Sequence, residues 1–304
     1  MKIKRIIILI LCALFVVGIV GAYCHFSRTK RRIYDRVIII GIDGAGNNLQ
    51  NVEAHFFQST FKPQNVNYNM SIETPSISAQ NWGSLLYSVS PDFHGLTNSI
   101  ASKNHYEGEL ESIFTKVHKK YPDAEIASIV AWSPINYGII DGFDGMYLYP
   151  GTILEHSLPN SEVVDRALEY IDNHDPKLLF IHFDEVDHAG HIYGWGSKEY
   201  YEAMLSTDHD VREIYTRLKE RDLLKNSLFI ITADHGGIET SHGGNSEEEM
   251  TSFFAITGDG LADDVEIGSM NIKDVATVIL YSLGVDAEGM EGMLPTGVFR
   301  GEKN

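Results

Sequence analysis

The chain reads as an α/β protein, a three-layer α/β/α sandwich around a largely parallel central sheet. Three observations predict this. Short apolar, β-branched runs recur along the 304 residues, stretches with helical apolar spacing separate them, and acidic residues with glycines close the runs. Strands that alternate with helices are the pattern of a parallel sheet covered on both faces. In such sheets ligands collect at the carboxyl ends of the strands, where these acids lie.

Residues 1–32 stand apart from that pattern. Lys2, Lys4 and Arg5 precede an apolar run from Ile6 to about Tyr23, and Arg28, Lys30, Arg31 and Arg32 follow it. The run approaches the length of a bilayer span and exceeds most signal-peptide cores, which favours an uncleaved membrane anchor over a removed signal. Val20-Gly21-Ala22 offers a small-residue cleavage site for the second reading, which leaves the body secreted. Basic residues on both flanks leave orientation undecided by the positive-inside rule. Export of the body is expected because the segment is N-terminal. Cys12 and Cys24 both lie in or beside the segment, and Tyr23 is too large for a lipidation signal. The body therefore carries no cysteine and is indifferent to redox compartment.

The remainder, residues 33–304, is expected to be one catalytic-sized domain. It holds 17 of the 24 basic residues against all 42 acidic ones. Such a body repels polynucleotides, so no nucleic-acid polymer is expected as a partner. The first strand runs from Arg36 to Ile42 and empties into Asp43-Gly44. Glu73–Val89 follows, where Ser78 stands just ahead of an apolar helical segment. Singly, Asp43 and Ser78 read equally well as helix caps.

Leu110, Ile113, Phe114 and Val117 give a helix over 109–120, and Ala124–Ala131 gives a strand. Val163, Val164, Ala167, Leu168 and Ile171 mark a helix over 161–174. It leads into the strand from Lys177 to Asp184. There Asp187 and His191 are one helical turn apart, so carboxylate and imidazole share a face. A polar helix from Lys198 to about Arg221 precedes the strand that opens at Leu228 and ends in Ala233-Asp234-His235-Gly236-Gly237. A loop carries His242, Thr251–Thr257 reads as a late strand and Ile272–Leu283 as a final helix. His188 reads as structural, Asp208-His209-Asp210 as a solvated face, and Trp82 as core or cleft wall.

Three strand ends thus carry Asp43, Asp187 with His191, and Asp234 with His235, all on one sheet edge, with His242 and Ser78 nearby. Six hard and borderline donors, Asp43, Asp187, His191, Asp234, His235 and His242, suit two divalent ions. The ordered set Asp43, Ser78, Asp187-x-x-Gly190-His191, Asp234-His235-Gly236 and His242-Gly243, with Ser90-Pro91-Asp-Phe-His94-Gly95 after the serine, resembles the alkaline phosphatase superfamily. Its type I phosphodiesterase/nucleotide pyrophosphatase branch is the nearest likeness. The resemblance implies an alkaline phosphatase-like fold and a hydrolase of small phosphoesters with Ser78 as nucleophile. It also implies one metal on Asp43, Ser78, Asp234 and His235, a second on Asp187, His191 and His242, and Asn81 supporting a phosphoryl oxygen. That branch usually has threonine where this chain has Ser78. Three histidines among the ligands favour zinc, with manganese the alternative. A phosphomonoesterase, a transferase of phospho-headgroups on the same scaffold, and a membrane-tethered metal-stabilised interaction domain are the competing expectations. The absence of Arg or Lys between Thr74 and Ser84 favours the diester, and the lack of cysteine there disfavours a sulfatase.

Overall fold

The computed structural model describes residues 32–103, 108–149 and 157–300. The anticipated N-terminal anchor or signal lies outside these, and among the described residues no helix is long and apolar enough to cross a membrane. Residues Ile33–Asn304 form a compact unit.

A seven-stranded sheet runs through that unit. Its strands are β1 (Arg36–Ile42), β2 (Val66–Ser71), β3 (Ile126–Val130), β4 (Tyr147–Tyr149), β5 (Leu178–Phe183), β6 (Ser227–Thr232) and β7 (Thr251–Gly258), in the order β2-β7-β6-β1-β5-β3-β4. β1 lies between β5 and β6, parallel to both. Every residue of β1, β5 and β6 is buried, which explains continuous apolar runs in place of alternation.

The principal helices are α1 (His55–Thr60), α2 (Ser78–Tyr87), α3 (Ile113–Lys120), α4 (Asn160–Asn173), α5 (Glu185–Tyr193), α6 (Lys198–Glu220) and α7 (Asp274–Leu283). Successive strand side chains point to opposite faces, and the two cores divide accordingly. Val37, Ile39, Phe180 and Ile230 pack with α2, α3 and α7 through Trp82, Leu86, Phe114 and Ile279. Ile38, Ile40, Ile181 and Phe229 pack with α1, α4 and α6 through Phe57, Ala167, Met204 and Ile214. The predicted three layers are therefore present.

Three details differ from the sequence reading. β7 is the expected late strand, but it runs antiparallel to both β6 and β2. The reading missed β2 and β4. β2, VNYNMS, is mostly half-exposed and its register slips between Asn67 and Met70, so it lacks a clean apolar period. β4 has only three residues. The helix expected from 109 begins at Ile113, because the Ser112 hydroxyl accepts from the Phe114 and Thr115 amides and caps it there.

Candidate active site

Parallel β1, β5 and β6 deliver their carboxyl ends to one edge, and all the predicted ligands meet there. Asp43 leaves β1, and Asp234 and His235 leave β6; all three are buried. Gly44 has φ +67°, and a Cβ on it would lie 2.7 Å from an Asp187 carboxylate oxygen, so only glycine lets these two strand ends approach. Its amide donates to Asp234 Oδ1 at 3.1 Å. Ser78 is the first residue of α2, where the positive helix end favours an anion.

The histidines share one arrangement. Nδ1 of His235 faces the Gly236 carbonyl at 2.9 Å, Nδ1 of His191 the Thr240 carbonyl at 3.1 Å, and Nδ1 of His242 the Ser76 carbonyl at 2.7 Å. A carbonyl only accepts, so each Nδ1 carries the proton and the lone pair of each Nε2 is left to face a metal. Those Nε2 atoms converge on the acids. His235 Nε2 lies 3.3 Å from Asp43 Oδ1, 3.3 Å from Asp234 Oδ2 and 3.1 Å from Ser78 Oγ, which itself is 3.4 Å from Asp43 Oδ1. His191 Nε2 lies 3.3 Å from Asp187 Oδ2 and 3.2 Å from His242 Nε2.

Atoms ~2.0 Å from a shared tetrahedral ion stand roughly 3.3 Å apart, which is the spacing these donors keep. Asp187 Oδ1 and Asp234 Oδ2 are buried with no hydrogen-bond partner. Among the described residues, no Lys or Arg pairs with Asp43, Asp187 or Asp234; their ion-pair partners are histidines. The donors thus fit a divalent cation. Two overlapping groups, Asp43-Asp234-His235 and Asp187-His235-His242, are close enough to hold one, as is Asp43-His182-Asp184.

Electrostatics agree. Burial opposes ionisation of Asp43, but hydrogen bonds from His182 and His235 outweigh it and hold this carboxyl well below the ordinary range. Asp234 is pushed far up by burial and by the Asp43 charge. Although burial alone would lower His235, the Asp234 and Asp43 carboxylates push it up to about 10. Several acids compressed into so small a volume require a cation, and protons take that place when no metal is bound.

The family model described as type I phosphodiesterase/nucleotide pyrophosphatase matches residues 37–282. The chain belongs to this family. Among curated relatives, GPI ethanolamine phosphate transferase 2 of Schizosaccharomyces pombe is 28% identical over 162 residues, covering 52% of this chain and 21% of the relative. Phosphopentomutase of Herpetosiphon aurantiacus is 28% identical over 138 residues, covering 44% of this chain and 33% of the relative. The chain thus spans a third or less of the length of these two. Among solved structures, murine ectonucleotide pyrophosphatase/phosphodiesterase 5 superposes with a TM-score of 0.71 at 14% identity, over 85% of this chain and 97% of the other. At that identity the likeness is one of fold. The alkaline phosphatase superfamily resemblance and the phosphodiesterase fold thus hold.

One phosphodiesterase expectation needs correction. Asn81 is wholly buried, its Oδ1 accepting from the Glu73 amide and its Nδ2 facing the Glu73, Pro75 and Ile77 carbonyls at 3.0–3.3 Å. It folds the loop that presents Ser78, so it has neither a free donor nor access for a phosphoryl oxygen. Asn98 is placed differently. Its Oδ1 accepts from the Ala79 amide at 2.9 Å, which orients an exposed carboxamide beside Ser78. Sequence reading also passed over His182, whose only signal is a polar side chain inside an apolar buried strand, and Ser76.

Proposed function

We propose that this chain is a metal-dependent phosphodiesterase of small substrates in which Ser78 is the nucleophile. The observation that carries the reading is the place of Ser78 Oγ. It stands at the amino end of α2, 3.1 Å from His235 Nε2 and 3.4 Å from Asp43 Oδ1, among the donors of the metal cluster.

Asp43, Ser78, Asp234 and His235 would hold one divalent ion and Asp187, His191 and His242 a second, zinc by their histidine content with manganese the alternative. Bound there, such ions supply Lewis acidity: they favour the ionised hydroxyl near neutral pH and offset charge on the attacked and departing oxygens. Ser78 Oγ attacks phosphorus, the Oγ–P bond forms and the bond to the leaving alcohol breaks. Water then cleaves the phosphoserine, returning the proton to Ser78. Asn98 Nδ2 donates to an equatorial oxygen, and the amino end of α2 adds its partial positive charge.

A diester suits this site better than a monoester, since among the described residues no Lys or Arg pairs with its acids to meet an additional negative charge. The complex of the murine relative's inactive variant with AMP supports a small phosphoester. The acidic body argues against a polynucleotide, and the N-terminal segment would hold the catalytic body at a membrane on its extracytoplasmic side.

A second reading shares the first half-reaction. The names of the transferase relatives favour an alcohol acceptor in place of water, with an ethanolamine phosphate headgroup passed on. Rates on bis(p-nitrophenyl) phosphate and p-nitrophenyl phosphate, with zinc and manganese in parallel, decide between diester and monoester. Faster turnover of the diester is expected, and a strong monoester preference would overturn the assignment. Product analysis with a phosphoethanolamine diester and an added sugar alcohol as acceptor separates hydrolysis from transfer.

A further inference from the structure

The two oxygens of the Asp43 carboxylate face different company. Oδ1 looks toward Ser78 and His235, as described. Oδ2 is turned to the apolar face of the sheet, where it accepts from Trp82 Nε1 at 2.8 Å and lies 3.0 Å from His182 Nε2. Trp82 and His182 are both fully buried, and their rings meet edge to face with centroids 5.1 Å apart. Trp82 belongs to α2, four residues after Ser78 and so one helical turn along; His182 belongs to β5, next to β1. The carboxylate is therefore gripped by two donors from two different elements.

The grip is built into the backbone. Gly41 lies two residues before Asp43 in β1, and a Cβ there would stand 2.5 Å from Trp82 Cη2. The indole can lie across β1 only because that Cβ is missing. Nδ1 of His182 has no partner, so its imidazole makes no hydrogen bond other than the one to Asp43. A buried polar ring kept for one contact is costly unless that contact has a task.

We infer that Trp82 and His182 are positioning residues: they bind Asp43 Oδ2, fix the carboxylate's rotation and leave Oδ1 as the single oxygen offered to a metal beside Ser78. Two consequences follow from the geometry. The grip acts on the Asp43-Ser78-Asp234-His235 group and leaves the Asp187-His191-His242 group unaltered. It also ties the nucleophile to the metal, since α2 holds Ser78 and Trp82 on one rigid turn.

This inference rests on the metal assignment above but not on the substrate. Its test therefore reads metal binding without substrate, by titrating zinc into the chelator-stripped full chain against a chromophoric competitor. Trp82→Phe, which keeps a ring and loses the N–H, and His182→Leu are each expected to weaken one of two binding events tenfold to a hundredfold, the magnitude typical when a group that orients a ligand is lost. The other event stays at its wild-type affinity. Gly41→Ala, which crowds the indole, should reproduce Trp82→Phe, and His182→Gln, which restores an N–H near the same place, should recover most of the loss.

Tryptophan fluorescence gives a second readout. The first zinc equivalent at the Asp43 group should perturb Trp82 emission in a Trp132→Phe, Trp195→Phe double variant. Thermal unfolding identifies any variant that fails to fold, and His182→Gln against His182→Leu still decides the matter if Trp82→Phe does. Wild-type affinity at both events in Trp82→Phe and His182→Leu overturns the inference, as does an equal loss at both.

Discussion

His235 and His242 lie stacked, with ring centroids 3.9 Å apart and planes 14° from parallel. One ring comes from the end of β6 and the other from the loop beyond it, so a single segment of the chain serves both donor groups. His235 belongs to each of two overlapping clusters, whereas His242 belongs to one. The two substitutions should therefore behave differently. His242→Ala is expected to lose one tightly bound ion of two, and His235→Ala to weaken both. Metal content measured after gel filtration checks this; identical losses for the two variants would count against the arrangement.

Ser78→Ala should leave the fold and melting temperature unchanged and reduce hydrolysis of bis(p-nitrophenyl) phosphate by at least ~10³-fold, because it removes the hydroxyl that stands among the metal donors. Ser78→Thr retains the hydroxyl and should keep measurable turnover. Near wild-type rates in the alanine variant would remove Ser78 from the nucleophile's place.

The two asparagines separate folding from catalysis. Asn98→Ala should lower kcat by about 10²-fold, the size seen when one oxyanion donor is lost, with metal content intact. Asn81→Ala instead opens four backbone hydrogen-bond sites in the loop before Ser78 and should lower the melting temperature first. Reversal of these two patterns would restore the role first expected of Asn81.

Ser76 joins the nucleophile loop to the His242 loop. Its Oγ accepts from the Gly243 amide and donates to the Gly244 carbonyl, both at 2.9 Å, while its own carbonyl receives His242 Nδ1–H. Ser76→Ala breaks the first two bonds and should cost about 1 kcal/mol, the usual net worth of hydrogen bonds at a half-buried site. Chemical denaturation and zinc titration together test it: a stability loss accompanied by weaker metal binding is expected, and unchanged metal affinity would limit Ser76 to loop packing.

His94 predicts the acid side of the stability profile. Burial pushes its imidazole down to about 4 from the ordinary 6.5. Its Nδ1 already accepts the Leu96 amide at 3.0 Å, so a second proton has no place to sit. The unfolded chain therefore takes up this proton at a pH where the folded one does not. Stability from this group is complete above pH 6.5 and declines as pH falls toward 4, by ~3 kcal/mol in all. Urea unfolding from pH 7 to pH 4 should show that slope in the wild type, and a flatter one in a His94→Gln variant.

The sequence by itself determined the class of fold and which candidate ligands would share one sheet edge. Strands buried on both faces must be apolar throughout, as β1, β5 and β6 are. Their acids then have nowhere to lie except at the ends, and parallel pairing puts those ends on one edge. Asp43, Asp187, His191, Asp234, His235 and His242 were legible for that reason. Tertiary structure alone decided the rest. The half-exposed β2 and the three-residue β4 carry too little pattern to be read, and the direction of β7 depends on its partners. Which asparagine folds the loop and which faces the site depends on a contact between Ala79 and Asn98, 19 residues apart. The grip of Trp82 and His182 on Asp43 joins α2, β5 and β1, and hydrogen bonds between side chains so distant in sequence leave no periodic signal in it.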